Sequence, residues 1–586
     1  MPFLRRFEAR FNAVFTLVAG CTAAWGQTSS PLLGGVWSGN VTPTSVTVAA
    51  RLNAAGQRVR LAVSPSEQLT EARYSAEAVT AAAAGNAVLL DVTGLTPGTQ
   101  YHYGLEVGGV LRTEEAARGK FRTFPAGAGS FKLALLGDGD YRDPDQRSYD
   151  EVRAEEPMLL LFNGDLHYRD TNTTNPDDYR AGYGAVLAHP QQGRLFRSAS
   201  LAYVWDDHDF AGGNDSNGTA LGAAAARTAY ADSVPHYPLR VGDGTIGQAL
   251  TVGRVRIIIT DTRSAAVPST DPETPAKTRL GAAQKAWFKQ ELIGAREAGF
   301  PLILWMTSDP WIGPAALGDD SWAGYATERT EIADFLKDNR IRNLVIYGGD
   351  MHAIAYDDGT HSDYATGGGA PLIVLHAAPL TRDPNSKGGP YAAGPFLGRQ
   401  QYGILEVTDN GGSTIQCEFS GKRVGEGAKV VLRFTASASA VTRRGLQPLV
   451  VGAERALVNV SSRGRIDTPT ETVIVGFVVG GRTPRDILMR AVGPSLAAFG
   501  VTDALPQPRL ALYRGSTLLA TNENWGLQDA ALLTAVFDRV GAFRLADPGS
   551  RDAAFFLNLV PGAYTLQASS LNGALGSVVV EAYEVP

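Results

Sequence analysis

The stretch LLLFNGDLHYRD at 159–170 decides how the chain reads. Leu159 to Phe162 form a short apolar run closed by Asn163-Gly164, the pattern of a strand covered on both faces. Directly behind it stand Asp165, His167, Tyr168 and Asp170, a set of hard oxygens and imidazole. Three more segments repeat the pattern. LLGDGDYRD at 135–143 carries Asp138, Asp140 and Asp143. YVWDDHDFAGGND at 203–215 carries Asp206, Asp207, His208, Asp209, Asn214 and Asp215. LVIYGGDMHAI at 344–354 carries Asp350 and His352. Gly-Asp after a strand is an ordinary turn, so one such segment alone means little. The chain has only eight His, however, and His167, His208 and His352 all fall inside the four segments.

Working outward, the strand candidates FKLALLG, MLLLFNG, LAYVWD, RIIITD, PLILWMT and NLVIYGG alternate with helix-like stretches. LGAAQKAWFKQELIGAREA, from Leu280, places Ala283, Trp287 and Leu292 near one helical face. Residues 330–337 read as a second helix with Thr330 as its N-cap. Such alternation predicts a layered α/β domain over 126–438, with most acidic motifs on loops that follow strands, where such folds hold ligands.

If these loops converge, their carboxylates repel one another unless some take up protons or cations intervene. Two cations remove the conflict. Carboxylate, imidazole and phenolate suit iron, manganese, calcium or zinc, and no thiolate near the motifs points to a structural Cys-zinc site. A cation pair can share a carboxylate, hold a phosphate and generate hydroxide for in-line attack.

The flanks differ in pattern. Residues 28–125 carry short alternating strands between Gly and Pro turns and predict a small β-sandwich, with Tyr101 and Tyr103 at a corner. Residues 446–586 predict a second all-β module. In it, Asn522, Glu523, Asn524 and Asp529 read as a polar turn, with a calcium loop as the alternative. Arg5, Arg6 and Arg10 precede an apolar stretch too short to span a bilayer, so residues 1–26 read as an export signal cleaved after Gly26. A lipid on Cys21 is the alternative. The formal charge is −6 and Lys and Arg form no tract, which excludes nucleic acid as an expected partner. No Gly-rich nucleotide fingerprint occurs.

LFNGDLHY, VWDDHDF, IYGGDMHAI, TDTR at 260–263, GAAQKAWFKQEL and WAGYATERTEI together resemble the alkaline phosphatase D branch of the calcineurin-like metallophosphoesterases. LTPGTQYHYGLEV, from Leu95, resembles the tyrosine-bearing turn of fibronectin-type-III domains. The resemblance covers about 28–435. It implies a four-layer αββα core flanked by β-sandwich domains, a binuclear centre, and hydrolysis of phosphomonoesters or phosphodiesters by metal-activated hydroxide. It assigns Asp138, Asp165, Tyr168, Asp207, Asp350 and His352 to the metals, with Asp165 bridging and Tyr168 on a ferric ion. His208, Arg263 and Asn214 become the candidates for contact with the reacting phosphate.

This chain departs from the broader pattern by having Asp207 for asparagine, Asp350 for the first histidine of a closing Gly-His-x-His, and Asp309 where a histidine often stands. The oxygen-rich set favours Fe3+ with Ca2+, with Mn2+ or Zn2+ as alternatives. Expected partners are small phosphate esters or phospholipid headgroups. A phospholipase D-type diesterase acting on headgroups or cell-wall polymers, and a non-catalytic surface-binding protein, are the competing functions. RGRI, FVVGG, ILMRAVGPSLAAFGV, TNENWG and PGAYTLQASS resemble a repeat ending exported proteins of some Gram-negative bacteria, which implies no activity of its own; attachment to a cell surface or glycan and protection of the catalytic domain are the alternatives. The expected location is periplasmic, outer-surface or extracellular.

Overall fold

The computed structural model describes residues 30–443, 459–479, 484–527, 529–545 and 548–585. The expected export segment at 1–26, with the alternatives at Gly26 and Cys21, lies outside the described residues. The chain divides into two compact units, Met1–Leu449 and Val450–Pro586. Among the described residues no helix is long and apolar enough to cross a membrane.

In the first unit the apolar runs form strands buried at every residue: Leu159–Asn163, Ser200–Val204, Leu302–Thr307 and Leu344–Gly348. Only strands covered on both faces require such uniform composition. One sheet of ten strands is centred on the parallel trio Phe131–Leu136, Leu159–Asn163 and Ser200–Val204, with Leu133 opposite Leu159 and Leu160 opposite Leu201. On one side it continues through antiparallel strands to Ala440–Arg443, past residue 438. On the other side Trp37–Gly39 joins Ser200–Val204 in parallel, and Ser45–Arg51 and Ala87–Thr93 follow.

The front region therefore splits between two sheets. Its remaining strands, chiefly Arg58–Ser64, Gln100–Val107 and Arg118–Arg122, form a separate six-stranded sheet. Val59, Leu61 and Leu105 of that sheet share a core with Val46, Val48 and Leu90 of the long one, which gives the region its sandwich character. Tyr101 occupies the expected corner, where its hydroxyl accepts from the Thr96 amide at 3.0 Å.

A second sheet of seven strands contains Val255–Thr260, Leu302–Thr307, Leu344–Gly348 and Ile373–Ala377 in parallel. Its alternation sorts side chains to two faces. Ile257, Ile259, Leu304 and Met306 enter the core of the first sheet. Ile258, Ile303, Trp305 and Ile346 pack instead against Phe288 and Leu292 of the helix Ala282–Glu297 and Ile332 and Leu336 of the helix Ala326–Asp338. On the far face of the first sheet, Tyr149 and Phe196 of the helices Arg147–Ala154 and Pro190–Ser198 pack with Phe162.

Two helical expectations need correction. The buried face of Ala282–Glu297 is Gln284, Phe288, Leu292 and Ala295, with Ala283 exposed and Trp287 at the rim. Gln284 is inside because its amide spans the Asp261 backbone, accepting from N at 2.8 Å and donating to O at 2.7 Å. Thr330 lies within its helix, which starts at Ala326.

The second unit has two four-stranded antiparallel sheets. The module expected to be all-β also carries an α-helix, Ala530–Arg539, which buries Leu533, Val536 and Phe537. Asp529 is its N-cap and accepts from the Leu532 amide at 3.0 Å. Asn522 accepts from the Ala554 amide and Asn524 from the Gly526 amide. These side chains bond backbone, as a polar turn requires.

Candidate metal centre

The loops that leave adjacent strand ends converge. Asp138 follows Phe131–Leu136, Asp165 follows Leu159–Asn163, and Asp350 follows Leu344–Gly348, each two residues beyond its strand. All three, with His352, hold positive φ of 52 to 56°. Non-glycine residues rarely adopt that conformation, and such strain concentrates at functional sites. Gly164, at φ 89°, lets the loop pass Asp206, whose Cβ would lie 2.6 Å from any added Cβ. Asn163 locks the two sheets beneath the loops, donating to the carbonyls of Thr307 at 2.9 Å and Tyr347 at 3.0 Å. Asp209 joins two loops by accepting from the amides of Leu166 and His167 and from the Tyr203 hydroxyl.

Two donor groups result. Asp138, Asp165 and His352 each present a donor atom within 4.8 Å of the others, and Asp165, Asp207 and His208 do the same. Asp165 belongs to both. Tyr168 joins the first group, its hydroxyl 3.2 Å from His352 Nε2. His352 Nδ1 lies 2.8 Å from the Asp383 carbonyl, so it carries the proton there and leaves the Nε2 lone pair facing inward. His208 Nδ1 is held by Asp170, and Nε2 is 3.8 Å from Asp207.

Donor chemistry tests whether cations fit. Asp138 Oδ2, Asp165 Oδ2 and Asp207 Oδ1 are buried with no hydrogen-bond partner, a costly condition for carboxylates that a shared cation removes. Burial, then the Asp207 carboxylate, push Asp165 well above the usual carboxylate range. Burial also raises Asp138, and raises the Tyr168 phenol together with Asp165. The donors present suit hard or borderline cations.

A third acidic group, Asp206, Asp309 and Asp350, differs in kind. Arg263 binds Asp206 and Asp309, Arg279 binds Asp309, and Lys387 binds Asp350. The protein's own cations compensate these carboxylates. Arg263 is 1 % exposed and sits in this ion-pair network, behind the donors. Asn214 lies on an exposed loop. His167 is buried against Tyr183 and Asp209, outside both donor groups.

Residues 379–400, which carry no motif, form a strap over the site. Thr381 Oγ1 accepts from the Asp140 amide at 2.6 Å, and the Asn385 amide donates to the His352 carbonyl at 3.2 Å. The Arg382 guanidinium lies 4.0 Å over the Tyr168 ring and binds Asp140 at 3.2 Å. The sequence reading missed Arg279, Arg382, Asp383 and Lys387, because isolated basic residues in turn-rich segments give no periodic signal.

Residues 135–390 match the family model described as PhoD-like phosphatase, and residues 20–125 match the PhoD-like phosphatase, N-terminal domain. The chain is 23 % identical over 330 residues to alkaline phosphatase D of Bacillus subtilis (strain 168), which covers 48 % of this chain and 55 % of that protein. It thus spans about half the length of that curated relative. A solved structure of PhoD superposes with a TM-score of 0.57 at 17 % identity, covering 71 % of this chain and 93 % of the other.

Proposed function

The chain belongs to the PhoD-like phosphatase family through residues 20–125 and 135–390, and from that membership we propose that it hydrolyses phosphate esters at a binuclear centre. Asp165, shared by two donor groups whose buried oxygens lack partners, is the observation that carries this reading. Asp138, Asp165, Tyr168 and His352 would hold Fe3+, and Asp165 and Asp207 would hold Ca2+, Mn2+ or Zn2+, with Asp350 joining them on exchanging its Lys387 partner for the cation. When bound, the cations supply Lewis acidity and lower the pKa of water at the site.

The chain's own residues do the rest. Asp383 fixes the His352 tautomer. Asp170 holds His208, whose side chain is 22 % exposed, so that Nε2 can pass a proton to the leaving oxygen. Arg263 holds Asp206 and Asp309 in place, and the exposed Asn214 would supply an amide contact to the ester. The helix, sheet, sheet and helix contacts of the first unit support a four-layer αββα core built on 126–438, with strands from residues 37–93 and 440–443 added to one of its sheets. Export of the chain and surface attachment through 446–586 belong to the same reading.

Metal analysis and assays of monoesters and diesters on one purified sample test it. Hydrolysis that depends on two bound cations supports the proposal, and the preferred ester separates a monoesterase from a diesterase of headgroups or polymers. Absence of both metal and hydrolysis in metal-replete medium would favour a binding protein on this scaffold.

A further inference from the structure

At the opposite end of the strands from the metal centre lies a hollow of ≈ 560 Å³. The candidate donors follow the C-terminal ends of the parallel trio, whereas this hollow adjoins Ser198, just before Ser200–Val204, and Arg153, near the end of Arg147–Ala154. Arg118, Lys120, Arg153, Arg194 and Arg197 line it against two carboxylates, Glu67 and Glu115. That excess of cations stands on a chain whose formal charge is −6.

The pairing is incomplete. Arg197 is satisfied by Glu115 at 2.7 Å, and Arg118 donates to the Arg112 carbonyl at 3.0 Å. Arg153 and Arg194 share one oxygen of Asp150, at 3.5 and 3.6 Å, with side chains 44 % and 38 % exposed. Among the described residues, no carboxylate lies within ion-pair distance of Lys120. A second hollow of ≈ 600 Å³ shares Lys120, Arg153 and Ser198 and adds Arg122. The exposed Arg122 makes one long contact, 3.4 Å to the Gly98 carbonyl. Glu155 in that hollow is already bound by Lys132 and Lys422, and Glu156 and Glu406 complete its acidic wall. Arg194, Arg153, Lys120 and Arg122 thus follow one another from the first hollow into the second.

We propose that these joined hollows form a docking site for an extended, phosphate-bearing polyanion, separate from the metal centre. One phosphate is too small a ligand, because an exposed ion pair contributes roughly a fivefold gain in affinity or less. A chain that meets several cations in succession multiplies those gains, and ordering costs fall on one molecule. Lys120 and Arg122 stand two residues apart on one strand, about 6.7 Å, so a linear ligand lying along it meets both. Docking at one end of the sheet would keep the protein on a polyanionic surface while the centre at the other end turns over esters. The inference does not depend on that hydrolysis.

Long-chain inorganic polyphosphate, end-labelled for fluorescence anisotropy, is the probe, with the full-length protein. Binding should weaken steeply with added salt, as screening and counterion release require. Lys120→Glu with Arg194→Glu should lower affinity by at least about 30-fold, and Lys120→Gln with Arg194→Gln by roughly 5-fold. Both double variants should turn over p-nitrophenyl phosphate as the parent does, which also reports folding. Asp165→Asn should bind the probe unchanged. Undiminished binding by the neutral and reversed variants would overturn the proposal, and so would loss of binding in Asp165→Asn, since that places the probe at the metal centre.

Discussion

Asp165 is the residue on which two donor groups depend. Replacing it with Asn keeps its shape and removes the charge both cations would share. Turnover should fall at least about 100-fold, roughly 2.7 kcal/mol of transition-state stabilisation; near-parent turnover in a folded, fully metallated sample would remove Asp165 from the bridging position. Tyr168 makes a spectroscopic prediction. Phenolate bound to ferric iron gives a visible charge-transfer band, and Tyr168→Phe should abolish it while the fold persists; an iron-loaded parent without the band would show that Tyr168 is not a ligand. Proton linkage supplies another. Burial raises Asp138, Asp165 and Asp350 above their unfolded values. In protein stripped of metal, their contribution to stability is present below an unfolded pKa of about 3.9 and is lost as pH rises through the folded value. Chelator-treated protein should therefore weaken toward alkaline pH. Metal uptake should release protons and tighten in the same direction. Denaturant midpoints with and without metal check the sign, and a metal-dependent gain that shrinks as pH rises would contradict it.

At the level of elements, the motif loops were legible because each candidate donor follows an apolar run almost directly. Strand ends fix where Asp138, Asp165, Asp207 and Asp350 emerge, and Gly137, Gly164, Asp206 and Gly349 punctuate each apolar run just before its donor. The strap was illegible for the converse reason. Its contacts to His352 are made by backbone atoms of Asp383 and Asn385, which leave no trace in side-chain identity. Helix faces were misread where polarity misleads: Gln284 is buried for its amide bonds, and AALLTAVF hid a helix among strands. The ion-pair buttress behind the centre gives an element-scale prediction. Asp309 is 0 % exposed and neutralises Arg263 and Arg279. Asp309→Ala should cost about 3–5 kcal/mol in urea unfolding, since it strands the buried Arg279 guanidinium and leaves Arg263 with Asp206 as its close partner. A loss below about 1 kcal/mol would show that water or another carboxylate reaches them.

For the whole molecule, the expected division into front, catalytic and C-terminal parts is only partly how the chain is assembled. The chain divides into two compact units and the candidate donors all lie in the first, so a chain ending after Arg443 should keep most of its turnover on a small ester; inactivity of such a folded, metallated chain would extend the catalytic unit. The front region is different, because Trp37–Gly39 is a strand of the catalytic sheet, and no local pattern in a three-residue strand foretells a partner so distant. A chain starting at residue 126 should aggregate, because it bares the edge of Ser200–Val204 and the pocket filled by Trp37. Recovery of it as a soluble, active monomer would show that the edge tolerates water. That pairing also sets a timetable. Ser38 meets Ser200 across 162 residues of chain, and ribosomes add about 5–20 residues per second. The front strands are therefore made on the order of 10 to 30 s before the strand they must join. Throughout that interval they are an unfinished edge, and whatever escorts the nascent chain has to keep it from finding the wrong neighbour.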